Sequence, residues 1–167
     1  KDYFNISADY IFEIGLTPNR ADAASHLGVA RDLAAILKTP MHFQQAENLV
    51  VGNKNGLSLQ VQEPMSCKRY AGVYLSDIIV SESPDWLKQK LQVIGLKPIN
   101  NVVDVTNYIC HGLGQPMHAF DFAKIQGAQI NVRNASEGES IVTLDGTTRK
   151  LFPTDLVIAD AQSPMCI

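Results

Sequence analysis

"NNVVDVTNYICHGLGQPMHAFD" (residues 100–121) contains a change of rhythm that divides the chain. Its first half repeats apolar residues at helical spacing and predicts a helix closed by Gly112, although its valines and threonine lower the intrinsic propensity. Its second half is punctuated by Gly114 and Pro116, and it sets a single imidazole, His118, between Met117 and the pair Ala119 and Phe120. Downstream the apolar period becomes two. "QINVRNA" (129–135), "SIVTLDGTTRKL" (140–151) and "DLVIAD" (155–160) predict three or four strands, with Asp145 and Gly146 as a tight hairpin turn.

Upstream, helices dominate. "DYIFEIGL" (9–16) alternates as a short strand, and "TPNRAD" (17–22) turns the chain. A helix follows, with Asp22 as candidate N-cap, an apolar stripe of Leu27, Ala30, Leu33, Ala34 and Leu37, and Pro40 as its stop. "GNKNG" (52–56) reads as a turn between short strands, and a boundary falls near Glu63 and Pro64. "RYAGVYLSDIIV" (69–80) is rich in β-branched and aromatic residues and predicts a strand. Ser83, Pro84 and Asp85 then signal a helix start, Leu87, Leu91 and Ile94 form its buried stripe, and Gly95 ends it. Helices early and strands late predict an α+β fold with mainly antiparallel strands.

Composition narrows the function classes. With 167 residues, 46% hydrophobic and 19% charged, the chain is an ordinary globular one, and a net charge of -3 supplies no basic footprint for nucleic acid. Cys67, Cys110 and Cys166 are scattered without a CxxC pair, so neither a disulfide framework nor a zinc site is expected, and a reducing cytoplasm fits best. No apolar run approaches the roughly 20 residues that cross a bilayer. A start at Lys1 without methionine and an apolar "SPMCI" at the other end suggest a piece of a longer protein. Phosphate-cradling, nucleophile-elbow and Cys-His signatures are lacking.

His118 is the strongest chemical candidate, because an imidazole can position a water or shuttle a proton near neutral pH. A core histidine satisfied by a backbone carbonyl is the commoner alternative, and the residue pattern leaves both open. Thr106 and Asn107 offer a hydroxyl and an amide about one helical turn before the histidine loop, or else they cap the helix end. Arg20 and Asp22, with His26 in the next turn, read as a structural turn locked by an ion pair, and His42 and His111 lack partners at metal-ligand spacing.

"GLKPINNVVDVTNYICHGLGQPMHAFD" (95–121) closely resembles the beta subunit of bacterial phenylalanyl-tRNA synthetase, in the module that hydrolyses wrongly made tyrosyl-tRNA. The resemblance extends through "SPDWLKQKLQVIGLKPI" (83–99) and "NVRNASEGESIVTLDGTTRKL" (131–151), and back to "LTPNRADAASHLGVARDLAAI" (16–36), which is similar to the segment preceding that module. It implies two parts, a strand-turn-helix segment over 1–62 and an editing domain over 63–167, truncated at its C-terminal end, in which sheet packs with helices. His118 would then position the attacking water or the terminal ribose, Pro116 would shape the wall, and Thr106 and Asn107 would contact the aminoacyl group. Lys97 stands where the family usually has arginine, so a bidentate contact becomes a point charge. The resemblance also implies the tRNA for phenylalanine and a synthetase alpha subunit as partners in an α2β2 enzyme, with no DNA or membrane partner. ATP and magnesium serve the full synthetase, and no cofactor is expected in this piece. The downstream glutamate that reads the tyrosine hydroxyl in the family lies beyond Ile167, so the piece alone is expected to edit weakly or not at all. Two other readings are a free-standing relative acting in trans and a non-catalytic module for RNA docking or subunit assembly.

Overall fold

The computed structural model describes residues 10–43, 52 and 56–167. They form two compact units, each assembled from two stretches of chain: one from Lys1–Glu47 with Ile79–Ala119, the other from Asn48–Ile78 with Phe120–Ile167. The described helices longer than one turn all lie in the first unit and the strands all lie in the second, so the fold is α+β.

In the helical unit α1 spans His26–Leu37, α2 Asp85–Val93 and α3 Asn101–Leu113. Helix α1 starts three residues later than an Asp22 cap would place it. Ser25 Oγ accepts the Gly28 N–H, while the Asp22 carboxylate is held by Arg20 at 3.0 Å, beside the short 3-10 turn Ala21–Ala23. Gly28 is buried there, and the position requires glycine because a Cβ would collide with the Asp22 carbonyl oxygen. Helix α2 ends as its sequence signals: Gly95 adopts φ +83, its N–H donates to Gln92 O, and the Leu96 N–H donates to Leu91 O. This pair of bonds satisfies carbonyls that the helix would otherwise leave open. Leu87 and Leu91 are buried, whereas Ile94 is not. Helix α3 opens on Asn100, whose side chain accepts the N–H groups of Val102 and Val103. It runs past Gly112 and closes at Gly114, the glycine that takes up φ +78. Gly112 stays helical because the backbone turns left-handed only two residues later.

In the sheet unit β1 spans Ser58–Val61, β2 Gln129–Asn134, β3 Ser140–Val142, β4 Thr148–Lys150, β5 Leu156–Ala159 and β6 Pro164–Cys166. One sheet has the order β1-β2-β5-β6, with β1 and β2 parallel and the other pairs antiparallel. Strands β3 and β4 make a separate hairpin around Asp145 and Gly146, as the turn residues predict, with Gly146 at φ +76. Ile141 and Leu151 from the hairpin cluster with Ala135, Val157 and Ala159 to form the core.

Two strands expected from alternation are not formed. Residues 10–16 and 69–80 have neither ladder nor helix, and their apolar side chains face solvent, with Phe12 80% and Ile79 81% exposed. A strand needs a neighbouring strand to pair its N–H and C=O groups, and among the described residues no ladder includes either stretch. The expected "GNKNG" turn falls mostly outside the described residues, which at this place include only Gly52 and Gly56.

Arg133 lies in register with Val157, so it shares the face of the core cluster and needs a charge partner. Glu139 supplies it through a two-pronged contact at 2.7 and 2.9 Å, and the Ser136 N–H adds a bond at 2.7 Å. The Arg133 guanidinium holds the Glu139 carboxyl down to about 2, against the ordinary 4.5, with burial opposing and the Ser136 N–H reinforcing it. Glu139→Gln should therefore destabilise the chain by about 2–3 kcal/mol near neutral pH. Because the folded carboxyl is depressed, the gap between wild type and variant should be full above about pH 4.5 and shrink as pH falls toward 2. Urea midpoints of both proteins across that range check this, and a gap independent of pH would contradict it.

Candidate functional site

Helix α3 carries the polar residues that sequence singles out, and a buried carboxylate fixes its start. Asp104 is fully buried. One oxygen accepts the Ser83 hydroxyl at 2.5 Å and the other the Ile99 N–H at 2.9 Å. The chain entering α2 and the chain entering α3 are thereby tied to one side chain. Ser83, expected as the α2 N-cap, spends its hydroxyl on this contact, and Pro84 takes the cap position. Asn101 adds a second tie: its amide donates to Ile79 O and Ser81 Oγ and accepts the Ser81 N–H. Nothing in the spacing of "VVDVT" marked Asp104 as a hub; an acid in a first helical turn is ordinarily a solvated dipole partner.

The far end of α3 is tied to α1. His26 Nδ1 lies 3.0 Å from the carbonyl oxygen of His111. A carbonyl only accepts, so Nδ1 carries the hydrogen, and one of the open carbonyls at the end of α3 is satisfied. Gly114 packs on Ser25, where a Cβ would sit 3.3 Å from the Ser25 Cβ. Arg20 spans Asp22 and Asp32, the latter at 2.6 Å, and Arg31 reaches Asp22 at 3.5 Å, so "TPNRAD" is a locked structural turn as expected.

Thr106 and Asn107 are half-buried neighbours on α3. The Thr106 hydroxyl donates to Val103 O at 2.7 Å, which leaves its lone pairs for a ligand. The Asn107 amide has no hydrogen-bond partner among the described residues, so both its donor and its acceptor are available. Lys97 lies exposed in the α2–α3 connection and makes no ion pair among the described residues. Pro116 and His118 follow Gly114 in a stretch without helix or ladder, where Gln115 Nε2 donates to Pro116 O at 3.1 Å. His118 and its neighbours Met117 and Ala119 are exposed, so the expected apolar wall does not enclose the imidazole. Positive φ at Gly114 and the proline two residues on lead the chain away from the helix without giving it a ladder to lie on.

A cavity of about 590 Å³ lies elsewhere in the helical unit, lined by Phe12, Val29, Leu33, Ile94 and His111 among others, and it includes none of the five residues above. Its walls are largely apolar and offer no acid and base pair. Among the described residues no three His, Cys, Asp or Glu side chains gather as metal ligands, and no helix is long and apolar enough to cross a membrane.

The B3/4 domain family matches residues 66–167. Over its whole length the chain is similar to the phenylalanine–tRNA ligase beta subunit of Bacteroides fragilis, at 47% identity across 100% of the chain and 21% of that relative. The corresponding subunit of Porphyromonas gingivalis is 47% identical across 99% of the chain and 21% of its own length. That of Streptococcus agalactiae is 44% identical across 95% and 20%. The chain thus spans about a fifth of the length of the curated relatives it matches.

Asp104→Ala should lower stability by about 2–4 kcal/mol, because it strands the Ser83 hydroxyl and the Ile99 N–H inside the unit, whereas Ser83→Ala should cost about 1–2 kcal/mol. Denaturant titrations of the two single variants and the double variant check this. The double variant should cost less than the sum of the singles, since both remove one shared bond.

Proposed function

The chain belongs to the B3/4 domain family, and from that premise we propose that it is a segment of a phenylalanine–tRNA ligase beta subunit whose task is to hydrolyse tyrosine wrongly attached to the tRNA for phenylalanine. The observation that carries the reading is the similarity to beta subunits along the entire chain, from the α1 segment through α3 and the histidine stretch. On this reading residues 1–62 precede the editing domain and 63–167 belong to it. The working enzyme is a cytoplasmic α2β2 assembly with its alpha subunit, which uses ATP and magnesium to make the aminoacyl adenylate.

A second sieve answers a physical limit. A pocket shaped for phenylalanine cannot strongly reject a side chain that merely adds a hydroxyl; the analogous valine and threonine case reaches only about 100-fold. A separate hydrolytic site can invert the choice by bonding that hydroxyl, since phenylalanine would leave the polar group unpaired at a cost of roughly 1–3 kcal/mol.

The chemistry is ester hydrolysis. Water adds to the carbonyl carbon, the bond to the ribose oxygen breaks, and the proton passes to the departing ribose, giving free tyrosine and intact tRNA. Asn107, with its amide unspent, is suited to hold the ester, and Thr106, presenting lone pairs, is suited to accept from the amino group of the aminoacyl moiety. Lys97, which makes no ion pair among the described residues, offers a cation to a phosphate, and His118 orients the water beside the scissile bond while Pro116 stiffens its approach. No protein nucleophile is required when water and a neighbouring ribose hydroxyl are held in place.

A docking or assembly role without catalysis is the second reading, favoured by the exposure of His118 and its neighbours. Hydrolysis of tyrosyl- and phenylalanyl-tRNA by the full synthetase separates the two. Tyrosyl-tRNA should be cleaved selectively, and His118→Ala should slow it at least about tenfold. Undiminished cleavage in the variant removes His118 from the mechanism, and no cleavage by the wild type leaves the docking role.

A further inference from the structure

Helix α2 hides Leu87 and Leu91 but leaves the chain's single tryptophan outside: Trp86 is 55% exposed, and Tyr108 of α3, which it meets, is 38% exposed. The two rings stand edge to face, with centroids 5.6 Å apart and planes at 83°. Rings at nearly a right angle form a corner, in which a third flat group can lie on one ring and abut the other. Neither the indole N–H nor the phenol makes a hydrogen bond with a described residue, so each ring also keeps its polar end for a ligand.

Charge selects the occupant. At the start of α2 the carboxylates of Glu82 and Asp85 are both taken by Lys88, at 2.8 and 3.0 Å. Lys90, one turn after Trp86 on the same face of α2, is exposed and makes no ion pair among the described residues, and Lys97 shares that condition. An open aromatic corner beside uncompensated cations fits a nucleobase on its phosphate backbone: rings stack on the face of any base, and the cations meet the chain that carries it.

We propose that Trp86 and Tyr108 hold the terminal base of the mischarged tRNA by stacking. This rests on the reading above that Thr106 and Asn107 take the aminoacyl ester. Tyr108 follows Asn107 directly, about 100° round the same helix, and in the substrate the ester and the terminal base hang from one ribose. One nucleoside therefore reaches from the amide to the aromatic corner. Every base has a π-face, so the platform registers that a base is present rather than which one it is. Stacking is made before and during hydrolysis alike, so it lowers KM and leaves kcat nearly unchanged.

Hydrolysis of tyrosyl-tRNA by the full synthetase tests this with the wild type, Trp86→Phe and Trp86→Leu, the last keeping apolar bulk without a ring. Trp86→Leu should raise KM at least about fivefold with kcat nearly unchanged, and Trp86→Phe should recover most of the loss. On a tyrosyl-tRNA whose terminal nucleotide lacks its base, wild type and Trp86→Leu should share the same raised KM. No effect of Trp86→Leu on intact tRNA overturns the proposal. An effect that persists on the abasic tRNA also overturns it, and makes the aromatic pair a structural or protein contact. A second readout is independent of cleavage. The tRNA ending in 2-aminopurine and carrying tyrosine through a stable amide should lose fluorescence on the wild type and keep it on Trp86→Leu, since stacking on the indole quenches that base. Equal quenching by the two proteins overturns the proposal. Quenching that needs Trp86, without hydrolysis by the wild type, sinks the editing role and leaves the base platform, whereas hydrolysis without such quenching sinks the platform alone.

Discussion

A carboxylate taken out of water and satisfied by hydrogen bonds organises each unit. In the helical unit it is Asp104, and in the sheet unit it is Asp160, which is 5% exposed and accepts the N–H groups of Gln126, Gln162 and Ser163. Burial pushes the Asp160 carboxyl up, but those three N–H groups outweigh it and the net shift is downward. Such a group cannot be buried without its partners, so its bonds act as a condition on the chain path rather than as one contact among many. Asp104 thereby sets how α2 and α3 begin. Asp160 joins the approach to β2 to the turn between β5 and β6, two places 34 residues apart.

That condition determines what α3 can present. Its first turn is spent on Asn100 and Asp104 and its last on Gly114 and His26, so the polar groups left for a ligand lie in the middle, at Thr106 and Asn107. Their difference is physical. A threonine that donates to its own helix offers only lone pairs outward, while a neighbouring amide with no partner among the described residues offers both signs. Two side chains adjacent in sequence therefore present different hydrogen-bonding character.

Local signals were legible where the physics is local. Gly95 and Gly146 each required positive φ, and the Asp145–Gly146 turn, the α2 stripe of Leu87 and Leu91 and the two-residue period of β2 and β5 followed from neighbours a few positions away. What failed depended on distant partners. The alternation at 10–16 and 69–80 marks a strand's side chains, but a strand exists only with a ladder, and alternation says nothing about where the ladder comes from. The helix stop moved from Gly112 to Gly114 because either glycine can turn left-handed and packing against Ser25 distinguishes them. Likewise Thr106, Asn107, Lys97, Pro116 and His118 were identifiable by type, whereas Asp104 and Asp160 were not, since burial of an acid is decided by segments far along the chain.

The interleaving of the two units bears on how the molecule is made. The chain passes from one unit to the other between residues 47 and 48, 78 and 79, and 119 and 120. The parallel pairing of Ser58 with Gln129 joins residues 71 positions apart. On a ribosome the first segment of each unit waits for its second: α1 cannot meet α3 until residue 114 has emerged, and β1 has no neighbour until β2 follows. Synthesis at about 5–20 residues per second makes that interval several seconds long. Until then the first segment of each unit lacks the neighbours it packs against in the folded chain.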